Sequence, residues 1–377
     1  MSTIRILIVF LVYGCVMNMT IPADVQGQDD EGRGNVRAVS DNVSVRLGGT
    51  LQPRATFASD DDTDRIGFGL RRMRFRAYTD IGERISLFLQ MEGSGASATW
   101  LDMRGNFRLN DEWTLSTGRF IGAQPRSFAR TGHANIDAID RPAIAERWAR
   151  MTIGADGRDY GVEATWSRPE WEIRGFLHNG HNRADFRTGI SNDPATGGIS
   201  TDGFAFSASA THWPSGDRNE LELGAYAGLN TSQNPLTEIG GVGREYFSYS
   251  AHAYWGALPG SQPFRVKADV IGIGYQEVTP FGAHNYMGTS LFGSFLAAPH
   301  VELYARGEFW YSDGGDMDGI NQVFATVGGS YSLSALWGRP FSQNRIMVAY
   351  SLRSAESSSI DFDDPAHVFM VQTQFFF

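Results

Sequence analysis

Three arginines alternate with apolar residues in one short stretch, LRRMRFRAY (residues 70–78). In an extended strand, Arg72, Arg74 and Arg76 would point to the same side, roughly 6.5–7 Å apart. A guanidinium is always charged and presents a planar fork of donors that suits carboxylates and phosphates. Facing lipid, each would cost about 2–4 kcal/mol at mid-depth. The row must therefore face water, where it can concentrate anions and pass them between donors.

Further arginines follow this row along the chain. The candidate anion-interacting residues are Arg72, Arg74, Arg76, Arg104, Arg108, Arg119, Arg126 and Arg130. Two interpretations remain open. The row can form an anion pathway, or carboxylates across a lumen, such as Glu92, Asp102 and Glu163, can neutralise it. In the second case the opposed charges give a transverse field without net selectivity.

The segments that carry these arginines have the pattern of strands. After residue 42 the sequence forms sixteen alternating segments, separated by Gly, Pro, Asn and Asp. Tight connections such as residues 110–112 and 168–170 alternate with long polar connections such as 181–202 and 231–243. An even number of strands with short turns at one end and long loops at the other is typical of an outer-membrane barrel.

The alternation also has a consistent polarity. In the segment that begins at residue 264, Phe264 and Val266 oppose Arg265 and Lys267. A soluble sandwich alternates too, with its polar face in water. Aromatic residues near the segment ends favour the membrane version, in which they form interfacial girdles: Trp113, Trp171, Trp213, Tyr311 and Phe377. The sequence therefore predicts an all-β fold, a transmembrane antiparallel β-barrel of about sixteen strands.

One long connection, residues 122–157, is not strand-like. Within it, residues 135–151 place apolar side chains at helical spacing, with Pro142 near the start and Asp140 as a candidate cap. We expect this loop, with its short helix, to fold into the barrel and narrow it, a surface loop being the alternative. The residues expected at the constriction are Arg141, Arg147 and Trp148.

The two ends of the chain indicate export and membrane assembly. Arg5 precedes a short apolar run, so we expect a signal peptide at 1–27, a short flexible segment at 28–42 and the barrel at 43–377, in the bacterial outer membrane. The final strand, HVFMVQTQFFF, is greasy on one face and carries glutamines on the other. Its last residue, Phe377, is the candidate signal for the barrel-assembly machinery. Outer-membrane lipid and lipopolysaccharide are the expected surroundings.

Composition and motifs argue against several other functions. The net charge of −10 argues against nucleic-acid binding. Cys15, the single cysteine, lies in the leader, so no thiolate metal site is expected in the mature chain. The close histidine pair in HNGH (178–181) lacks supporting carboxylate spacing, so we expect no metal and no cofactor.

Three stretches of the chain resemble the phosphate-selective porin O and P family: FGLRRMRFRAYTDIGERISLFLQMEG, WLDMRGNFRLNDEWTLSTGRFIGAQPRSF and RDYGVEATW, all within residues 67–180. The resemblance implies a sixteen-stranded, usually trimeric outer-membrane channel. It also implies an arginine ladder at Arg72, Arg74 and Arg76, with Arg119 in the GRF motif. Family members that select phosphate use lysines at the constriction, whereas this chain has only Lys267. The resemblance therefore implies a channel but not phosphate selectivity.

The leading functional hypothesis is a passive porin, not an enzyme, through which small solutes diffuse, with a preference for small anions. A non-conducting structural or adhesive barrel, closed by residues 122–157, is the first alternative. An outer-membrane hydrolase is the second, although nothing in the sequence singles out the serine–histidine pair that such an enzyme needs.

Overall fold

The computed structural model describes residues 36–40, 42–59, 64–95, 97–129, 132–153, 156–180, 188–190, 199–201, 204–231, 245–276, 285–313, 321–356 and 366–377. The strands in the first half are β1 (Val36–Val39), β2 (Val43–Ser59), β3 (Asp64–Ile81), β4 (Ile85–Glu92), β5 (Thr99–Arg108), β6 (Trp113–Phe120), β7 (Asp159–Ser167), β8 (Trp171–His178), β9 (Thr188–Ile190) and β10 (Ile199–Thr201). Those in the second half are β11 (Ala205–His212), β12 (Leu221–Asn230), β13 (Tyr246–Trp255), β14 (Phe264–Tyr275), β15 (Asn285–Ala298), β16 (Val301–Ser312), β17 (Asn321–Ser332), β18 (Arg345–Glu356) and β19 (Ala366–Phe376). The helices are α1 (Arg126–Ala129), a 3₁₀ turn (His133–Asn135), α2 (Ala143–Met151) and α3 (Leu333–Leu336).

Sixteen of the strands close into one antiparallel barrel. Strands β2–β8 and β11–β19 pair with their sequence neighbours, β8 pairs with β11, and β19 pairs with β2. Closure gives every barrel strand two partners, which a lipid environment demands of backbone amides and carbonyls. The predicted fold class is confirmed, and each of the sixteen predicted segments corresponds to one barrel strand.

Two features depart from the predicted element list. Strand β1 lies within the segment 28–42 that we expected to be flexible, and it pairs with the start of β2, Val36 opposite Leu47. Strands β9 and β10 pair with each other, and with no other strand among the described residues. The predicted signal peptide, residues 1–27, lies outside the described residues.

The predicted polarity of the wall is confirmed. On β14, Phe264 is 57% exposed on the outer face, whereas Arg265 is fully buried on the inner face. Two of the predicted girdle residues, Trp113 and Trp171, are exposed on the outer face, as a girdle requires. The prediction is wrong at Trp213, which is fully buried inside the barrel, where its indole nitrogen donates to Glu222 at 3.1 Å.

Residues 121–158, which we call the lumen loop, join β6 to β7 and fold into the barrel as predicted. The apolar face of α2 packs on the inner wall, where Trp148 meets Tyr226 edge-on with ring centroids 5.7 Å apart. Ile144 of α2 and Ile271 of β14 belong to the same buried cluster. The apolar core thus lies inside the barrel, between loop and wall. No helix in the described part of the chain is long and apolar enough to cross a bilayer.

Candidate functional site

The arginine row points to the inner side of the wall, where Arg72 and Arg76 are buried, 2% and 7% exposed. Arg72 donates through Nη1 to Gln52 Oε1 at 2.9 Å. Arg76 donates through Nη2 to Thr50 Oγ1 at 2.8 Å, and its guanidinium carbon lies 4.8 Å from the ring centroid of Phe376. These contacts are with neighbouring strands of the wall, so the row is held by neutral groups at two of its three positions.

The carboxylates expected to neutralise the row pair mostly with other arginines. Glu92 binds Arg74, with Nε 2.7 Å from Oε2. The other two have partners outside the row: Asp102 pairs with Arg158 at 2.8 Å and Glu163 with Arg174 at 2.7 Å. In the part of the chain that the structure describes, neither Arg72 nor Arg76 forms an ion pair with a carboxylate. Two of the three positive charges in the row therefore have no carboxylate of a described residue in contact with them.

A fourth arginine joins the row through a β-bulge. The β2–β3 ladder pairs Gln52 with Arg72 and then Pro53 with Leu70, so that Arg71 is an extra residue. Proline lacks the amide proton of a regular ladder, and bulges accommodate it. The extra residue turns Arg71 toward the lumen, where it binds Asp140 at 3.1 Å and Glu146 at 3.2 Å. Strict alternation misses this residue, although Pro53 was a sequence signal for an irregular ladder.

Three further predicted residues lie inside the barrel. The Arg104 guanidinium lies 5.8 Å from the ring centroids of both Phe88 and Phe120. Arg108 lies at the short-turn end, where it lines a cavity described below. Arg126, on α1, is fully engaged by Glu222 in a buried ion pair. The last candidate of the set, residue 130, lies outside the described residues.

The prediction that Arg119 lines the pore is wrong. Arg119 pairs across the ladder with Met103 and Tyr160, which alternate with the inward-facing Arg104 and Asp159. Strand parity therefore puts Arg119 on the opposite side of the wall from Arg104. Its guanidinium binds two nearby groups: it lies 2.6 Å from Asp156 and 2.9 Å from the carbonyl oxygen of Trp100.

The lumen loop places a buried histidine and a further arginine, His133 and Arg141, close to the row. His133 lies with its Nδ1 3.3 Å from Arg74 Nη1 and its Nε2 2.7 Å from Thr50 Oγ1. Burial, followed by the charges of Arg74 and Arg76, lowers the pKa of His133 well below its ordinary value, so the imidazole is neutral. Burial also lowers the pKa of Arg141 to about 9, with the Arg74 charge adding to the effect. Both shifts reflect burial first and then the positive charges of the neighbouring arginines.

The two other predicted constriction residues differ in role. Arg147 lies at the edge of open space, with its guanidinium carbon 5.7 Å from the ring centroid of Phe324. Trp148 is buried in the apolar core beneath α2, so it supports the loop rather than lining the lumen. Consecutive residues of an α-helix point to different sides of the helix, so Arg147 and Trp148 have different surroundings.

Two carboxylates of the lumen loop anchor it to the barrel wall, Asp137 to β14 on the far side and Asp140 to β2 and β3. Asp137 Oδ1 lies 2.6 Å from Arg265 Nη1, and its Oδ2 lies 2.9 Å from Lys267 Nζ. Asp140 binds Arg54 at 2.8 Å as well as Arg71. Asp140 is therefore not the helix cap that we expected, because Pro142 occupies the N-cap of α2. Lys267, the single lysine of the chain, is therefore buried in its contact with Asp137.

Open space remains on both sides of the lumen loop. A polar cavity of about 870 Å³ at the short-turn end is lined by Arg84, Arg108 and Glu172, among others. A second cavity of about 260 Å³ lies between α2 and strands β16–β19. The loop thus divides the lumen into two vestibules, each lined with arginines and carboxylates.

The histidine pair offers no metal site within the described residues. His178 Nδ1 lies 2.7 Å from Asp159 Oδ2, and its Nε2 lies 2.9 Å from Ser207 Oγ, so both ring nitrogens are engaged. His181 lies outside the described residues. No group of three or more metal-ligating side chains occurs in the described part of the chain.

No protein-family model matches the chain, and no curated protein matches it by sequence. Solved structures match it by fold. OmpT, an outer-membrane protein of Vibrio cholerae, is 13% identical with a TM-score of 0.61, covering 90% of this chain and 99% of that one. An anion-selective porin from Comamonas acidovorans is 11% identical with a TM-score of 0.60, covering 89% and 100%. A trimer form of the Vibrio protein is 10% identical with a TM-score of 0.54, covering 89% and 100%. The chain has the fold of bacterial outer-membrane porins.

Proposed function

We propose that this protein is an outer-membrane porin through which small solutes diffuse passively, with a preference for anions. The observation that carries the proposal is the inward-facing row Arg72–Arg76, in which two guanidiniums have no carboxylate partner among the described residues. The anion-selective porin of Comamonas acidovorans shares the fold, and its selectivity is consistent with this proposal.

The selectivity follows from where the charges lie. A row of fixed positive charge inside a low-dielectric wall raises the local concentration of anions and lowers that of cations. Arg72 and Arg76 are buried, 2% and 7% exposed, so the row attracts anions through its field rather than by direct contact. The carboxylates of Asp137 and Asp140 do not cancel this effect, because each is already bound by two cations.

Single-channel recording in planar bilayers tests the proposal. In a salt gradient, the reversal potential should give an anion-to-cation permeability ratio above one. Replacing Arg72, Arg74 and Arg76 together by alanine should lower that ratio at least threefold. The matched control is Arg168→Ala, since Arg168 is exposed in the β7–β8 turn and paired with Glu112. An unchanged ratio in the triple variant contradicts the role given to the row.

A non-conducting barrel is the second candidate, and one observation favours it. The lumen loop is bound to the wall at several points, including Asp137, Asp140 and the buried face of α2. The same recordings decide between the two, because a closed barrel gives no conductance steps in wild type or in any variant. Turnover of acyl esters by the purified protein would instead support the hydrolase alternative.

We also propose a distant relationship to the phosphate-selective porin O and P family, resting on the ladder positions Arg72, Arg74 and Arg76. Phosphate selection itself is not part of the proposal. The residue matching the family's GRF arginine, Arg119, is tied to Asp156, and Lys267 is tied to Asp137. Neither is available to replace the lysines that phosphate-selective members use.

Assembly and surroundings complete the proposal. Phe377 is 48% exposed at the barrel surface, and its carbonyl oxygen accepts from Gly49 N at 2.6 Å where the first and last barrel strands meet. We assign this terminal strand as the segment read by the barrel-assembly machinery. A homotrimer embedded in outer-membrane lipid and lipopolysaccharide is proposed on the fold, one matched protein having a trimer form.

A further inference from the structure

The cavity beside α2 lies toward the long-loop end of the barrel. Its wall side is formed by residues of β16 to β19, of which Phe324 and Arg353 lie closest to the long connections 313–320 and 357–365. Its loop side is the polar face of α2. The volume of about 260 Å³ holds on the order of nine waters at ~30 Å³ each. The space suits a compact solute of one ring, or a chain of a few carbons.

Three arginines with no paired carboxylate line this cavity: Arg147 and Arg150 on α2, and Arg353 on β18. None of them forms a hydrogen bond or an ion pair with a described residue. Arg147 and Arg150 are three residues apart, so they share one face of the helix. Burial, followed by the charges of Arg150 and Arg353, lowers the pKa of Arg147, because like charges face one another across the space.

The carboxylates that line the same cavity already have partners. Asp140 is bound by Arg54 at 2.8 Å, and Glu146 by Arg71 at 3.2 Å. Glu308 lies 2.7 Å from Arg306. Every negative charge in the lining is thus compensated by a cation outside the arginine trio, which leaves the cavity with an excess of donors.

One side of the cavity is apolar. Phe324 lies directly opposite Arg353 in the β17–β18 ladder, and the guanidinium of Arg147 lies 5.7 Å from its ring centroid. The aromatic ring therefore lies beside the guanidinium of Arg147, and Arg353 is its cross-strand neighbour. The buried side chains of Ala349 and Met370 extend the apolar surface along the wall.

We propose that this cavity is a binding site for small organic carboxylates with an apolar body, of which benzoate is the simplest aromatic example. The carboxylate would be held by the planar donor forks of Arg147 and Arg353, which suit it bidentately. The ring would lie against Phe324 and Met370. An inorganic oxyanion could use the same donors, but it would leave the apolar side without a partner. This inference rests on the proposed porin function and names its solute class.

Titration calorimetry of the detergent-solubilised barrel tests the site without requiring conduction. Benzoate should bind wild type at least tenfold more tightly than acetate or inorganic phosphate. The double variant Arg147→Gln, Arg353→Gln should lose at least tenfold in benzoate affinity. Phe324→Ala should weaken benzoate but not acetate. The control is Arg168→Gln, because Arg168 is exposed in the β7–β8 turn, away from this cavity, and the variant should leave both affinities unchanged.

The outcomes separate the two proposals. Benzoate binding by a barrel that gives no conductance would contradict the porin function and keep the site. Conductance without measurable benzoate binding would overturn the site alone. Equal affinity for benzoate and acetate, or benzoate affinity that survives the double variant, would also overturn it. Circular dichroism confirms that each variant retains its strands, and no paired charge is orphaned by removing these arginines.

Discussion

Asp137 provides the sharpest test of how the lumen loop is held. Its carboxylate lies between Arg265 at 2.6 Å and Lys267 at 2.9 Å, both on the far wall. Asp137→Asn keeps the shape of the side chain and removes its charge. The loop then loses its ionic contact with β14 while Asp140 keeps Arg54 and Arg71, and the lumen gains one net positive charge.

The magnitude follows from the pKa of that carboxyl. Burial favours the protonated form, but Lys267 and Arg265 together hold the pKa at about 2, below the ordinary 3.8. At 1.36 kcal/mol per pKa unit, the charged form is stabilised by about 2 kcal/mol. The loss stays below the 3–5 kcal/mol typical of a broken buried pair. Both cations retain partners, since Arg265 keeps Glu302 at 2.6 Å and Lys267 keeps the Ala257 carbonyl oxygen at 2.6 Å.

Limited trypsin digestion of the detergent-solubilised barrel measures this loss. When opening and closing are fast relative to cleavage, the rate follows the population of the open form. About 2 kcal/mol corresponds to roughly a thirtyfold faster cut after Arg141 or Arg147. The anion-to-cation permeability ratio should rise in the same variant. Asp111→Asn is the control, because Asp111 is exposed in the β5–β6 turn. Cleavage within twofold of wild type would refute the anchor.

Two further predictions concern the same loop. The stabilisation from Asp137 is fully present above its ordinary pKa of 3.8 and is lost as the pH falls through about 2, so pepsin cleavage of the loop should accelerate between pH 4 and pH 2. Trp148→Ala removes a buried indole that packs on Tyr226 and should cost about 3–5 kcal/mol, seen as a tryptic rate above that of Asp137→Asn. The exposed Trp171, replaced by alanine, is its control, and equal rates in the two tryptophan variants would contradict the packing role.

The sequence predicted the barrel because its signal is local and repeated. A period of two is visible within a single strand. In β14, Arg265 and Lys267 lie on one face and Phe264 and Val266 on the other, which already distinguishes the inner face from the outer face. The helix α2 was also predicted, since its apolar spacing is contained in nine residues. The prediction of side-chain direction failed at two residues. Arg71 points toward the lumen because of a β-bulge, and Arg119 lies on the opposite side of the wall from Arg104.

Sequence alone therefore determined the strand number, the polarity of the wall and the inward direction of the arginine row. Only the tertiary structure decided which charges remain unpaired. Asp102 lies 56 positions from its partner Arg158, and Asp137 lies 130 positions from Lys267. Such pairs depend on where the lumen loop crosses the barrel, and no local period encodes that crossing. The free charge of this lumen is a property of the closed wall and its loop together, because each carboxylate can satisfy only the cations that folding brings within reach.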